Sequence, residues 1–298
     1  MKAVLLARGL GSRMRQRGDA TGLTEDQAAA AAAGAKGMMP IPATFGASPQ
    51  TSLPANTTFG ASPQTSLPAN RQGRPFLDYV LSALADAGGT SVCFVVAPGH
   101  SGLRDYYDGR GRPARLDVAY AVQPVANGTA RAVQCARAFA GTDPFLVLNS
   151  DNLYSAPVLR GLIELKGPGL PAYERDSLVL DSGFPADRVG CFAAIEVGAD
   201  GCLTRVLEKP GREYYDAAGP HALISMNVWR FDARIFEACR DVARSPRGEY
   251  ELPEAVALAV SRGVKFQTFR ASGAVLDLSR RSDVAVVSRR LDGVEPNP

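Results

Sequence analysis

The stretch Gly9-Leu10-Gly11-Ser12-Arg13-Met14 follows the apolar run Ala3 to Ala7. A glycine turn at the end of a buried strand can wrap a phosphate chain in backbone N–H groups, and Arg13 adds a fixed positive fork beside it. No third glycine stands where Met14 is, which disfavours a dinucleotide site, and the Gly-Lys-Ser/Thr ending of a P-loop is absent. A plain turn is the competing reading. Farther along, Asp151 comes just after the apolar run Pro144 to Leu148. A carboxylate there would sit on the edge at which open α/β sheets bind ligands, and it suits a hard ion such as Mg²⁺. The plainer alternative is that Asp151 and Asn152 cap a turn. Only two histidines, His100 and His221, are present, and the five cysteines form no C-x-x-C pair. Histidine and zinc sites are therefore disfavoured, and carboxylates must do any metal work.

These groups need a scaffold, and the hydrophobic pattern supplies one. Ala3 to Ala7 and Val92 to Val96 read as buried strands, with Val118 to Val122 and Pro144 to Leu148 as a third and a fourth strand. Between them lie helical patterns. Thr24-Glu25-Asp26-Gln27 is a capping box opening the alanine run Ala28 to Ala33, Leu77 to Ala87 stops at Gly88-Gly89, and Thr129 to Ala140 follows a glycine. Strands alternating with helices predict an α/β fold with a doubly wound, mostly parallel sheet. Beyond about residue 165 the pattern turns mixed, with strands expected at Cys191 to Val197, Leu203 to Leu207, Leu223 to Phe231 and Phe266 to Ala271. Helices are expected over Ala233 to Val242, Leu252 to Ser261 and Ser282 to Leu291. No strong linker interrupts the chain. One catalytic domain over 1–298 is expected, divided into a first half at 1–160 and a substrate-binding half at 161–298.

Several short motifs occur in a fixed order: Leu6 to Met14, Lys36 before Met39-Pro40-Ile41, Gln123 before Gly128-Thr129-Ala130, Asp151, Glu208-Lys209-Pro210, and Asp277 within Val275 to Ser279. Together they resemble the sugar-1-phosphate nucleotidyltransferases, the glucose-1-phosphate thymidylyltransferase and uridylyltransferase type. The resemblance implies a Rossmann-like nucleotidyltransferase fold with a mixed sheet and Mg²⁺ as cofactor. It implies that Gly9, Gly11 and Arg13 hold the departing β- and γ-phosphates and that Lys36 neutralises charge near the α-phosphate. Gln123, Gly128 and Thr129 would bind the nucleotide, Glu208 the sugar hydroxyls and Lys209 the sugar phosphate. Gly190 and Asn227 would line the sugar pocket, although Asn227-Val228-Trp229 departs from the family's usual Gly-Ile-Tyr and leaves the sugar open. Asp151 and Asp277 would share the metal. The nucleophile, an ionised phosphate oxygen, would need no general base, so catalysis would consist of positioning and charge neutralisation.

Thr44 to Asn56 recurs letter for letter as Thr58 to Asn70. Two copies cannot build a solenoid, and their Ser/Thr/Pro/Ala/Asn content suits a tolerated surface-loop insert over 44–70. Charge is nearly balanced, 33 basic against 30 acidic side chains, which argues against a nucleic-acid or membrane-surface partner. The cysteines are expected as buried thiols in a reducing cytoplasm, with homo-oligomerisation left open. Rival readings are a silent nucleotide-sugar-binding regulatory protein, transfer to a non-hexose phosphate acceptor, and an interaction protein whose partner reads the repeat.

Overall fold

The computed structural model describes residues 1–9, 11–16, 22–42 and 73–298. The duplicated segment falls outside them. In the first half the strands are β1 (Lys2–Leu6), β2 (Pro40–Ile41), β3 (Arg74–Pro75), β4 (Ser91–Val96), β5 (Asp117–Val122), β6 (Phe145–Asn149) and β7 (Asn152–Tyr154). β1 lies parallel between β4 and β6, with Leu6 opposite both Val95 and Asn149, and β5 adds in parallel to β4. All four therefore end on one edge. Successive side chains alternate between two cores, Ala3, Leu5, Val92 and Phe94 on one face and Val4, Cys93, Val95 and Val147 on the other. Because helices cover both faces, these strands carry unbroken apolar runs. Helix Phe76–Asp86 packs into the first core, and helices Thr129–Cys135, Ile235–Asp241 and Leu252–Ser261 pack into the second. The short antiparallel pair β2 and β3 brackets the segment that carries the duplication.

The second half adds β8 (Gly169–Glu174), β9 (Ala193–Val197), β10 (Leu203–Leu207), β11 (Leu223–Ser225), β12 (Trp229–Phe231), β13 (Gln267–Ala271) and β14 (Val275–Asp277). Here the pairing is largely antiparallel. β8 meets β13 in parallel along one side, while along the other it meets β11 at one end and β12 at the other. β12 also pairs with β6, whereas β11 pairs with β9. The single ten-stranded sheet thus forks at Met226-Asn227-Val228. One branch leads to Asn149 at the end of β6, and the other leads to Ala193 at the start of β9. Asn227 sits at the fork in the left-handed backbone region, φ 57°.

The parallel first half and the mixed character of the remainder match the pattern reading; several local features differ, among them β14, which lies beyond the last strand expected. Leu223 to Phe231, read as one strand, is interrupted at the fork. The helix read over Thr129 to Ala140 is two pieces, Thr129–Cys135 and Arg137–Ala140, meeting at Ala136. β8 was not expected at all, since Pro171 sits in its middle without an N–H to give the ladder. Of the cysteines only Cys93 and Cys239 are buried; Cys135 and Cys202 are half-buried and Cys191 is exposed, so the expectation of five buried thiols fails. Among the described residues no helix is long and apolar enough to cross a bilayer.

Candidate active site

The glycine turn hangs from the carboxyl end of β1. Gly11 has φ 61° and stands immediately before the short helix Ser12–Arg15, which has no side-chain cap. A Cβ at Gly11 would lie 2.4 Å from the Gly34 carbonyl oxygen, so the turn and the loop behind helix Glu25–Ala33 approach backbone to backbone. Arg13 is exposed at the start of this helix. The predicted capping box is present, with Gln27 N donating to Thr24 Oγ1 and Thr24 N donating to Gln27 Oε1. That helix delivers Lys36, whose Nζ lies 2.7 Å from Asp151 Oδ2.

Gln123 follows β5 and is buried, and its Nε2 donates to the Gly128 carbonyl at 3.0 Å and to Asn127 Oδ1 at 3.3 Å. The nitrogen of this amide is thus spent on its own loop, a partner that the motif alone did not reveal. Gly128 has φ 114°, and a Cβ there would meet the Tyr250 backbone at 2.2–2.5 Å. Close approach is what this glycine permits, here by the Tyr250 backbone. Tyr250 N donates to the Asn127 carbonyl, and Leu252 N donates to Thr129 Oγ1. The segment around Tyr250 is so fastened to the Asn127 to Ala130 segment. Gly128→Ala combines a disallowed backbone with a backbone clash and should cost at least about 2 kcal/mol. A thermal melt within a degree of the parent protein would contradict this packing.

Asp151 and Asp277 meet through a short ladder. β14 pairs with β7, placing Asp277 opposite Asn152, and Leu278 N donates to the Asp151 carbonyl at 2.8 Å. Asp277 is buried, accepts from Ser279 Oγ at 2.6 Å and pairs with Arg188 at 2.7 Å. Burial pushes its carboxyl above the usual carboxylate range, and the nearby Asp151 charge adds to the rise against the pull of Arg188. Arg188 also holds Asp283 at 2.6 Å, and Asp283 accepts from the Ser279 and Arg280 amides at the start of helix Arg281–Arg290. Both Asp277 oxygens are therefore engaged. Among the described residues no group of three or more His, Cys, Asp or Glu side chains gathers for a metal; what is built is a carboxylate pair.

Across the fork lie Glu208 and Lys209, directly after β10. The only non-glycine residues with positive φ among the described residues are Lys209, at 46°, and Asn227. Left-handed backbone is costly for a lysine, about 1–3 kcal/mol, and persists where surrounding structure enforces it, often at functional sites. Glu208 lies 3.8 Å from Arg247, which is also paired with buried Glu251. Burial and the neighbouring Glu251 raise the Glu208 carboxyl above its ordinary value. For Glu251 burial acts in the same direction, but hydrogen bonds from Arg247 and Ser245 outweigh it and hold the carboxyl low. Gly190 closes the short helix Ala186–Val189 that supplies Arg188. No direct contact joins Glu208 or Lys209 to the Asp151 and Asp277 pair among the described residues; the groups flank the fork from opposite branches.

With this geometry in place, comparison with known proteins is decisive at the level of family. Residues 57–278 match the nucleotidyl transferase family model. The chain belongs to the nucleotidyl transferase family. The match contains Gln123, Gly128, Asp151, Glu208, Lys209 and Asp277, while the glycine turn and Lys36 precede it. A UTP–glucose-1-phosphate uridylyltransferase of Haloferax volcanii is 27% identical over 224 residues, covering 74% of this chain and 84% of that protein. A glucose-1-phosphate thymidylyltransferase of Streptomyces antibioticus is 29% identical over 224 residues, covering 75% and 59%. A low-salt glycan biosynthesis nucleotidyltransferase of H. volcanii is 24% identical, covering 71% and 56%. The chain thus spans little more than half the length of the last two. Among solved structures, UDP-glucose pyrophosphorylase complexed with UDP-glucose superposes with a TM-score of 0.67 over 97% of both chains at 16% identity, a likeness of fold.

Sequence reasoning missed Arg8, Arg188 and Arg247. Each acts on a partner distant in sequence or on the neighbouring backbone, and only the Arg247 to Glu251 spacing left a local trace, an i,i+4 pair.

Proposed function

We propose that this chain is a nucleotidyltransferase that joins a nucleoside triphosphate to a sugar 1-phosphate, giving a nucleoside diphosphate sugar and pyrophosphate. The observation that carries this reading is the gathering of Lys36, Asp151 and Asp277 on the sheet edge that also bears the glycine turn. That edge is where open α/β sheets take ligands. The two carboxylates lie near enough for Asp151 to raise Asp277, and such a pair of hard oxygen donors fits a divalent ion that takes its other ligands from phosphates and water. Asp151 and Asp277 would hold Mg²⁺, which when bound would neutralise charge on the phosphate oxygens.

The chain's own groups have simple tasks. Gly9, Gly11 and Arg13 would cradle the β- and γ-phosphates, and Lys36 would face the α-phosphate with its partner Asp151. Glu208 would take sugar hydroxyls, Lys209 and Arg247 the sugar phosphate, and Gly190 and Asn227 would border the sugar at the fork. A phosphate oxygen of the sugar 1-phosphate is already ionised near neutral pH. It forms the new bond to the α-phosphorus, the bond from that phosphorus to the bridging oxygen breaks, and pyrophosphate leaves with the electron pair. In-line attack needs both substrates held in register, and the continuous sheet supports one domain whose halves, 1–160 and 161–298, each present one of them.

A pyrophosphate-release screen of the common triphosphates against a panel of sugar 1-phosphates and non-hexose phosphates tests the proposal. Mg²⁺-dependent release with at least one pair is expected. Tight binding of a nucleotide sugar without any turnover would favour the regulatory reading, which draws on the full engagement of Asp277 by Arg188 and Ser279.

A further inference from the structure

Arg8 has no task in the scheme above, yet its side chain lies inside the nucleotide half of the site. Ala7 N still donates to the Val95 carbonyl, so Arg8 begins where β1 and β4 run out. From there its side chain crosses the end of β4 to the end of β5, where Nε donates to the Gln123 carbonyl at 2.7 Å and Nη2 donates to the Pro124 carbonyl at 3.2 Å. A guanidinium has five N–H groups. Two are used here, and the remainder have no partner among the described residues. Next to it, Gln123 Nε2 is committed to the Gly128 carbonyl, which can only accept, so the amide orientation is fixed and Oε1 is the side chain's uncommitted atom. A rigid cationic donor and an amide acceptor are thus set side by side, between the glycine turn and the start of helix Thr129–Cys135.

We propose that Arg8 is a base-selecting residue, donating to a ring carbonyl of the bound nucleotide while Gln123 Oε1 accepts the adjacent ring N–H. This inference rests on the nucleotide being bound as described under the proposed function. The base class it fits is an imide, uracil or thymine, whose edge places one N–H between two carbonyls. Such an edge offers a carbonyl beside the N–H on either side, whereas cytosine has a bare ring nitrogen in place of the N–H and in both placements loses at least the hydrogen bond to Gln123 Oε1. The backbone hydrogen bonds that hold the guanidinium reduce the cost of ordering it, which is what a recognition group requires.

The experiment is calorimetric binding of UTP and CTP, in the presence of Mg²⁺, to the parent protein and to Arg8→Ala and Arg8→Lys. The parent should prefer UTP by roughly tenfold or more, the scale of a hydrogen bond to a charged group, and both variants should lose most of that preference. Lysine retains the positive charge but not the fixed fork, so it separates base reading from simple attraction of the triphosphate. Equal affinities in the parent, an unchanged UTP to CTP ratio in the variants, or an equal weakening of both nucleotides would each overturn the role given to Arg8. If the parent binds no triphosphate, the proposed function falls as well, which is a distinguishable result.

Discussion

Replacing Asp151 with asparagine should lower Mg²⁺-dependent pyrophosphate release by roughly three orders of magnitude, the scale on which preorganised charge stabilisation acts at a transferring phosphoryl group. The substitution is nearly isosteric, so its effect is electrical. It removes one of two carboxylates that meet through the β7 and β14 ladder, and it strips Lys36 Nζ of the partner that now lies 2.7 Å away. Asp151 and Lys36 are 19% and 16% exposed, and asparagine keeps an oxygen that can accept from Lys36 Nζ, so the change should cost about 1–3 kcal/mol of stability and leave the fold intact. The prediction is specific in its kinetics. Turnover should fall while the KM for the sugar phosphate barely moves, because Glu208 and Lys209 are on the other branch of the sheet fork. Near-normal turnover at saturating Mg²⁺ would remove Asp151 from the chemistry, whatever the fate of the neighbouring residues.

Why Asp151 could be found from sequence while other groups could not is a matter of which interactions leave a local trace. β1, β4 and β6 are parallel strands buried on both faces, and such strands announce themselves as continuous apolar runs; the polar residues that end those runs then mark the ligand edge. The cap at Thr24 was legible because both partners lie within one helical turn. β8 was hidden by Pro171, a residue that argues against a strand paired on both sides. The fork was hidden for the opposite reason, since Ile224, Met226 and Val228 keep an apolar rhythm straight through the break at Asn227. At the site itself, the motifs gave the residues but not their partners. Nothing in the spacing shows that Gln123 Nε2 is turned to its own loop, that Gly128 faces the Tyr250 backbone, or that Asp277 is held by an arginine 89 residues before it.

That arginine carries the second large effect. Arg188→Met should lower stability by roughly 3–5 kcal/mol, the cost of breaking a buried ion pair from one side, and the melting temperature by on the order of ten degrees. Arg188 is 14% exposed and its partners Asp277 and Asp283 are 8% and 9% exposed, so neither carboxylate can turn to water for compensation. Methionine fills similar space over the Phe184 ring, which lies 5.2 Å from the guanidinium carbon, so loss of packing contributes little. What remains is a crowd of like charges, Asp151, Asp277 and Asp283, with Lys36 paired to Asp151 alone among the described residues. If Asp151 and Asp277 hold a divalent ion, that ion replaces part of the missing charge. Millimolar Mg²⁺ should then recover more of the melting temperature in the variant than it adds to the parent. Parent-like melting of Arg188→Met would contradict the buried ion-pair account, while a loss that Mg²⁺ leaves untouched would separate Asp277 from the metal and leave it a structural anchor of helix Arg281–Arg290.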